Sequence, residues 1–137
     1  MAEVIVFPDC TALVIGYLRT ELAARFPTAT VGSRIPSPNP GDFVRIFRTG
    51  GVQQLLVTDQ VQLTVEAYAD QDGDDERAHD LAQIVRGLLH ALPGTMQSGV
   101  PFYGVTELSG PQNLPDPVTN KPRFTQSLHV SVRGAAA

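Results

Sequence analysis

The chain has 137 residues and a formal net charge of −4, with 42% hydrophobic and 18% charged residues. That balance is globular rather than disordered, and its acidity excludes a basic nucleic-acid binder of the usual kind. The longest strongly apolar run, Leu13 to Ile15 (Ala12 to Leu18 if Gly16 and Tyr17 are admitted), falls far short of the ~20 residues of a membrane span.

A first helix is expected to start at Asp9, which follows Pro8 and can accept from the free N–H groups of a first turn. Val14, Leu18, Leu22 and Phe26 recur at helical spacing with Ile15 beside them, and Pro27 ends the helix. Arg19, Thr20, Glu21 and Arg25 take the other side, where Glu21 and Arg25 form an i,i+4 pair in the favourable order. Residues 28–35 read as a strand. Pro36, Pro38 and Pro40 cannot pair inside a sheet, so residues 36–42 read as a stiff extended arm. Residues 43–48 (FVRIFR) read as a strand apolar on both faces apart from Arg45 and Arg48, with Thr49-Gly50-Gly51 as the turn after it. In residues 61–69, Val61, Leu63, Val65 and Ala67 alternate with Gln62, Thr64, Glu66 and Tyr68, the period of a half-buried strand.

The second helix has the clearest pattern. Ala78, Leu81, Ala82, Val85, Leu88, Leu89 and Leu92 form one apolar stripe, and Pro93-Gly94 stops it. Residues 102–108 and 124–133 read as two closing strands. In the last, Phe124, Leu128, Val130 and Val132 share a face with Gln126 as the exception. Arg123, Thr125, Ser127, His129, Ser131 and Arg133 take the other face, which is either solvated or met by another subunit. Between these strands residues 109–122, with four prolines, read as a long loop of the kind that is usually functional or disordered. The order of elements gives an α+β fold: one mainly antiparallel sheet of four to five strands with two helices packed on one face, in a single domain over residues 1–137.

No constellation for catalysis emerges. The acidic run from Asp70 to Glu76 lacks the Gly at the sixth and the Glu at the twelfth position of a calcium loop, since Asp75 and Leu81 stand there. Those acids suit a helix N-terminus, where Asp74 or Asp75 can cap. His79, His90 and His129 contain no i,i+4 metal pair. The lone Cys10 excludes an internal disulfide and a cysteine-based zinc site, and it reads as a small packed residue. GxSxG, Walker A and GxGxxG patterns are absent, and the N-terminus lacks the basic region of a signal peptide. No cofactor is expected. Nine of the ten basic residues are Arg, which suits interfaces and equally reflects a G+C-rich gene. Arg45, in a strand apolar on both faces, needs a carboxylate: Glu66 or Glu107, within the chain or across a subunit boundary.

Several stretches in the same order resemble one family. FPDCTALVIGYLRTEL (residues 7–22), FVRIFRTGG (43–51), VQLTVEAYA (61–69), YGVTELSGPQNLPDPVTNKPRF (103–124) and HVSVRG (129–134) together resemble the tail terminator proteins of long-tailed phages of actinobacteria. The resemblance spans nearly the whole chain and lies in the combination of stretches, none of which bears a mechanism of its own. It implies a small α+β domain that assembles into a ring, typically six-fold, at the head-proximal end of the tail tube in the virion. Such a ring stops polymerisation of the major tail protein and docks the head connector, and DNA passes through its lumen without specific binding. Assembly would take place in the host cytoplasm. A near-neutral to acidic protein suits such a channel, because Lys and Arg drive phosphate binding. Ring closure uses head-to-tail contacts between different patches. Residues 35–42 and 109–122 are then candidate arms toward a neighbour or the tube. Arg34, Arg45, Arg48 and Arg123 are candidate interface cations, with Asp59, Glu66, Glu107 and Asp116 as partners. The rival readings are another neck component of head-closure type, a small hydrolase whose site is assembled only by folding, and a monomeric ligand-binding domain.

Overall fold

The structure, a computed structural model, describes residues 3–36, 41–70 and 74–137. Its elements run β1 (Ile5–Val6), α1 (Cys10–Arg25), β2 (Thr30–Gly32), β3 (Phe43–Leu55), β4 (Thr58–Tyr68), α2 (Asp75–His90), β5 (Met96–Gln97), β6 (Val100–Asn113), β7 (Arg123–Arg133) and β8 (Ala135–Ala136). Strands β2-β3-β4-β7-β6-β5 form one six-stranded sheet, and β1 and β8 form a separate two-stranded ribbon. The α+β class holds, and the expected four to five strands become six plus two. The additions are short: β5 adds two residues at one edge of the sheet, and β1 and β8 supply two residues each to the ribbon. Pairing is antiparallel throughout except for β2, which runs parallel to β3.

Both helices start where their caps predict. The Asp9 carboxylate accepts from Ala12 N at 3.1 Å and that of Asp74 from Arg77 N at 3.1 Å, so each satisfies a donor of its first turn. Helix α1 buries Val14, Leu18 and Leu22, and α2 buries Ala78, Leu81, Ala82, Val85, Leu88 and Leu89. These stripes meet Val44, Ile46, Val61, Leu63, Val65, Leu128, Val130 and Val132 in one core. The Tyr17 hydroxyl ties the helices together by donating to Leu88 O at 2.7 Å. Gln126, the polar exception in β7, is buried on this face and donates to Ala82 O of α2 at 3.2 Å. A satisfied amide is therefore tolerated where the alternation called for an apolar residue.

Three local expectations are corrected. The turn between β3 and β4 lies at Leu56 and Val57, and Gly50-Gly51 sit inside β3. Their φ values of +120° and +113° and the register shift after Arg48 mark a bulge, which carries the strand on instead of reversing it. The strand expected over residues 28–35 is paired only over Thr30–Gly32. The loop expected over 109–122 is mostly strand at its start: β6 runs on to Asn113 through three register shifts, and residues 114–122 make the connection. Bulges let Pro111 sit in an edge strand. Of the expected proline-rich arm, residues 37–40 lie outside the described residues, as do residues 71–73 of the acidic run.

Candidate functional site

The helices cover one face of the sheet and leave the other without a helix. In-register pairing places Arg45, Glu66 and Thr125 in one row of that second face, Phe43, Tyr68 and Arg123 in the next, and Phe47, Thr64 and Ser127 on the other side. Gln62 with His129 and Gln60 with Ser131 continue it. The middle of the face is thus lined by hydroxyls and amides.

An ionic cluster stands at one end, and Arg133 stands at the other, donating to the Tyr103 hydroxyl at 3.3 Å. The Glu66 carboxylate, only 7% exposed by residue, accepts from Arg45 Nη1 at 3.1 Å and from Arg123 Nη1 at 3.1 Å, bridging β3, β4 and β7. The Tyr68 hydroxyl also donates to Glu66, at 3.2 Å. Arg45 stacks 4.2 Å above the Phe47 ring, and Arg123 Nε donates to Leu114 O at 2.8 Å. Two guanidiniums on one carboxylate leave an excess positive charge, and burial raises the Tyr68 hydroxyl above its ordinary pKa despite Arg123. Of the two acids expected for Arg45, Glu66 is its partner in the same chain. Glu107 instead lies on the helix-covered side, where Arg86 Nε and Nη2 grip it at 2.7 and 2.8 Å with His90 Nε2 at 3.6 Å. The Arg86 hydrogen bonds hold its carboxyl below the ordinary range.

The remaining candidates fall in three places. Arg48 pairs with Asp59 at 3.3 Å beneath the start of α1, beside Cys10. Burial pushes the Cys10 thiol up to about 12, so it is a packed core residue and not a thiolate. Asp116 Oδ1 accepts from Val118 N at 2.8 Å and Thr119 N at 3.2 Å, which holds its carboxyl low and closes the 114–122 connection into a compact turn. Arg34 is exposed and lines a cleft of about 460 Å³ at the outer edge of β2, opposite Arg19 of α1. Among the described residues no group of three or more His, Cys, Asp or Glu is placed to hold a metal, and no helix is long and apolar enough to cross a membrane.

The sequence did not point to Asp42. It is buried, and it joins three segments: Oδ1 accepts from Asp70 N and Arg77 Nε at 2.9 Å each, and Oδ2 accepts from the Thr28 hydroxyl at 2.6 Å. Arg77 Nη2 also reaches Thr28 at 3.0 Å, and the guanidinium lies 5.1 Å over the Phe26 ring. Burial alone would raise the Asp42 pKa, but the hydrogen bonds from Arg77, Thr28 and Asp70 outweigh it and hold it below the ordinary value. The partners are 14, 28 and 35 residues away, so no local motif announces the cluster.

Apolar side chains are exposed at both ends of the sheet. Val52, Leu55 and Leu56 crowd the β3–β4 turn, and Val118, 91% exposed, tips the 114–122 turn at the opposite end.

No protein-family model and no curated protein matches the chain. Among solved structures, the chain is similar to one in the "virion of native gene transfer agent (GTA) particle", with a TM-score of 0.70 at 20% identity over 91% of this chain and 95% of that one. At that identity the likeness is one of fold, and it extends over nearly the full length of both chains.

Proposed function

We propose that the chain is a structural virion subunit, and specifically a tail terminator: a ring, six-fold by the family resemblance, that caps the head-proximal end of a tail tube. In this role it stops addition of the major tail protein and presents the docking surface for the head connector, with DNA passing through its lumen. The observation that carries this reading is the full-length fold likeness to a chain of a gene transfer agent virion, met by a sequence that resembles tail terminators in the same order of stretches. The surface is compatible with that role. Arg45 and Arg123 on the uncovered sheet face share Glu66, and the centre of that face offers uncharged hydroxyls and amides beside His129 instead of a row of Lys and Arg.

The role has a direct biochemical test. Purified chain added to polymerising major tail protein should arrest tube growth and be found by antibody labelling at one tube end. Labelling along the tube, or growth that continues unchanged, would contradict termination.

A further inference from the structure

An edge strand presents a row of backbone N–H and C=O groups without partners, a template for another strand. The six-stranded sheet has such a row on each flank. On one, β2 pairs with β3 only over Phe43–Arg45. From Ile46 to Leu55, β3 has β4 inside and no strand outside it among the described residues. On the other flank, β5 pairs only with Val100 and Pro101, and Gly94 and Thr95 hold the backbone of Phe102. Beyond that point β6 has β7 inside and no strand outside it among the described residues.

The two open stretches match in length. Ile46 to Leu55 faces Val65 to Thr58 of β4, and Gly104 to Asn113 faces Ser131 to Phe124 of β7, eight rows in each case. They are also out of step. Val65 to Thr58 pairs with Gln126 to Arg133 of β7, so the open stretch of β3 lies two rows above that of β6. Such a step, about 7 Å, is the kind of stagger by which a sheet closes on itself. The three residues of β2 fill the rows below one stretch, and β5 fills those above the other. Copies set side by side two rows apart therefore clear both short strands.

The step preserves the chemistry of the sheet. Because it is even, covered face continues into covered face and polar face into polar face. The three antiparallel pairings between β3 and β6 make those two strands run in opposite directions, so a β3–β6 junction keeps the antiparallel alternation. With the step applied, Gly51 to Leu55 lies opposite Glu107 to Gly104. These stretches hold no proline and no lysine, and their one charge, Glu107, is already held by Arg86. On the uncovered face Val52 stands opposite Thr106, and exposed Leu55 falls beside exposed Tyr103, whose hydroxyl meets Arg133 of that face.

We propose that the open edge of β3 in one copy pairs with the open edge of β6 in the next copy of this chain, two rows out of step, so that the sheets run on into one another. The contact rests on the ring reading and names its interface.

The test pairs sedimentation with cross-linking. Val52→Lys and Thr106→Lys each alter an exposed side chain and should leave the fold intact, as circular dichroism would verify. Each should weaken self-association about tenfold or more, since lysine blocks edge pairing. A Val52→Cys, Thr106→Cys double variant should form an oxidised ladder of oligomers ending in a closed ring, while neither single variant cross-links; buried Cys10 stays out of the reaction. A disulfide dimer of the Val52→Cys single variant would overturn the contact by setting two β3 edges against each other. Assembly by the parent chain that both lysine variants match, with no ladder, would overturn it and leave the ring standing on another interface. A parent chain that stays monomeric with no ladder would overturn it too, while the tube-arrest experiment still decides the terminator reading.

Discussion

At the scale of single residues, Glu66, Thr125 and Asp42 are polar groups set within the packed sheet and its flank. Glu66 holds two arginines from neighbouring strands. Glu66→Gln keeps its shape but leaves Arg45 and Arg123 facing each other without an anion. Because Arg45 reaches solvent, the loss should be about 2 kcal/mol by urea denaturation, less than for a fully buried pair. An unchanged midpoint would show that the pair contributes nothing. Thr125, across from Glu66, has a buried Oγ1 with no hydrogen-bond partner among the described atoms. Thr125→Val removes that unsatisfied group at constant shape and should be neutral or stabilising by up to about 1 kcal/mol. A clear loss in a thermal melt would mean that the hydroxyl is satisfied in solution. Asp42 is held at a lowered pKa, so the stability it contributes is complete above the ordinary carboxylate range near pH 4 and fades as pH falls through its own lower value. Asp42→Asn should cost about 1–3 kcal/mol at neutral pH, with the gap to the parent narrowing in acid. A gap that stays constant with pH would remove the charge from that account.

At the scale of elements, legibility followed the range of the forces involved. The helices were readable to within a residue at their starts because capping and the 3.6-residue stripe are local: Asp9, Asp74 and the Ala78-to-Leu89 stripe all stand where expected. In β4 and β7 the period of two separated the covered from the uncovered face, with Asp59 and Gln126 as polar departures on the covered side. Gly50-Gly51 misled because a glycine pair signals positive φ without saying whether the chain reverses. Here it serves close approach: a Cβ on Gly51 would run into the Gln60 carbonyl oxygen across the hairpin. Gly51→Ala should therefore cost about 2 kcal/mol or more and should disturb the β3–β4 register, visible as lost amide protection around Gln60. Normal stability and protection would mean that the bulge relaxes freely. The edge strand β5 has too few residues for any period to register, and at the other edge the strand expected over 28–35 is paired only over Thr30–Gly32. Among site candidates, ionic pairing was legible as a need, since Arg45 in an apolar strand demanded a carboxylate. The choice of Glu66 over Glu107 depended on the register of β3, β4 and β6, which no local pattern encodes.

At the scale of the whole molecule, the fold separates its tasks by surface. One face of the sheet is spent on the core beneath α1 and α2. The other is polar and open, with Arg45 and Arg123 gathered on Glu66 at one end and Arg133 at the other. The two apolar tips lie at opposite ends of the sheet. The fold likeness to a virion chain covers the molecule nearly end to end. The account therefore stands or falls on what the subunit does to a tail. The most direct measurement is tail length by negative-stain electron microscopy in a phage carrying an amber stop in this gene. Tubes of abnormal and variable length, or tails without heads, are the predicted result. Tails of normal length beside unjoined or empty heads would contradict termination and move the subunit to the head side of the neck, and normal infectious particles would contradict a structural role altogether.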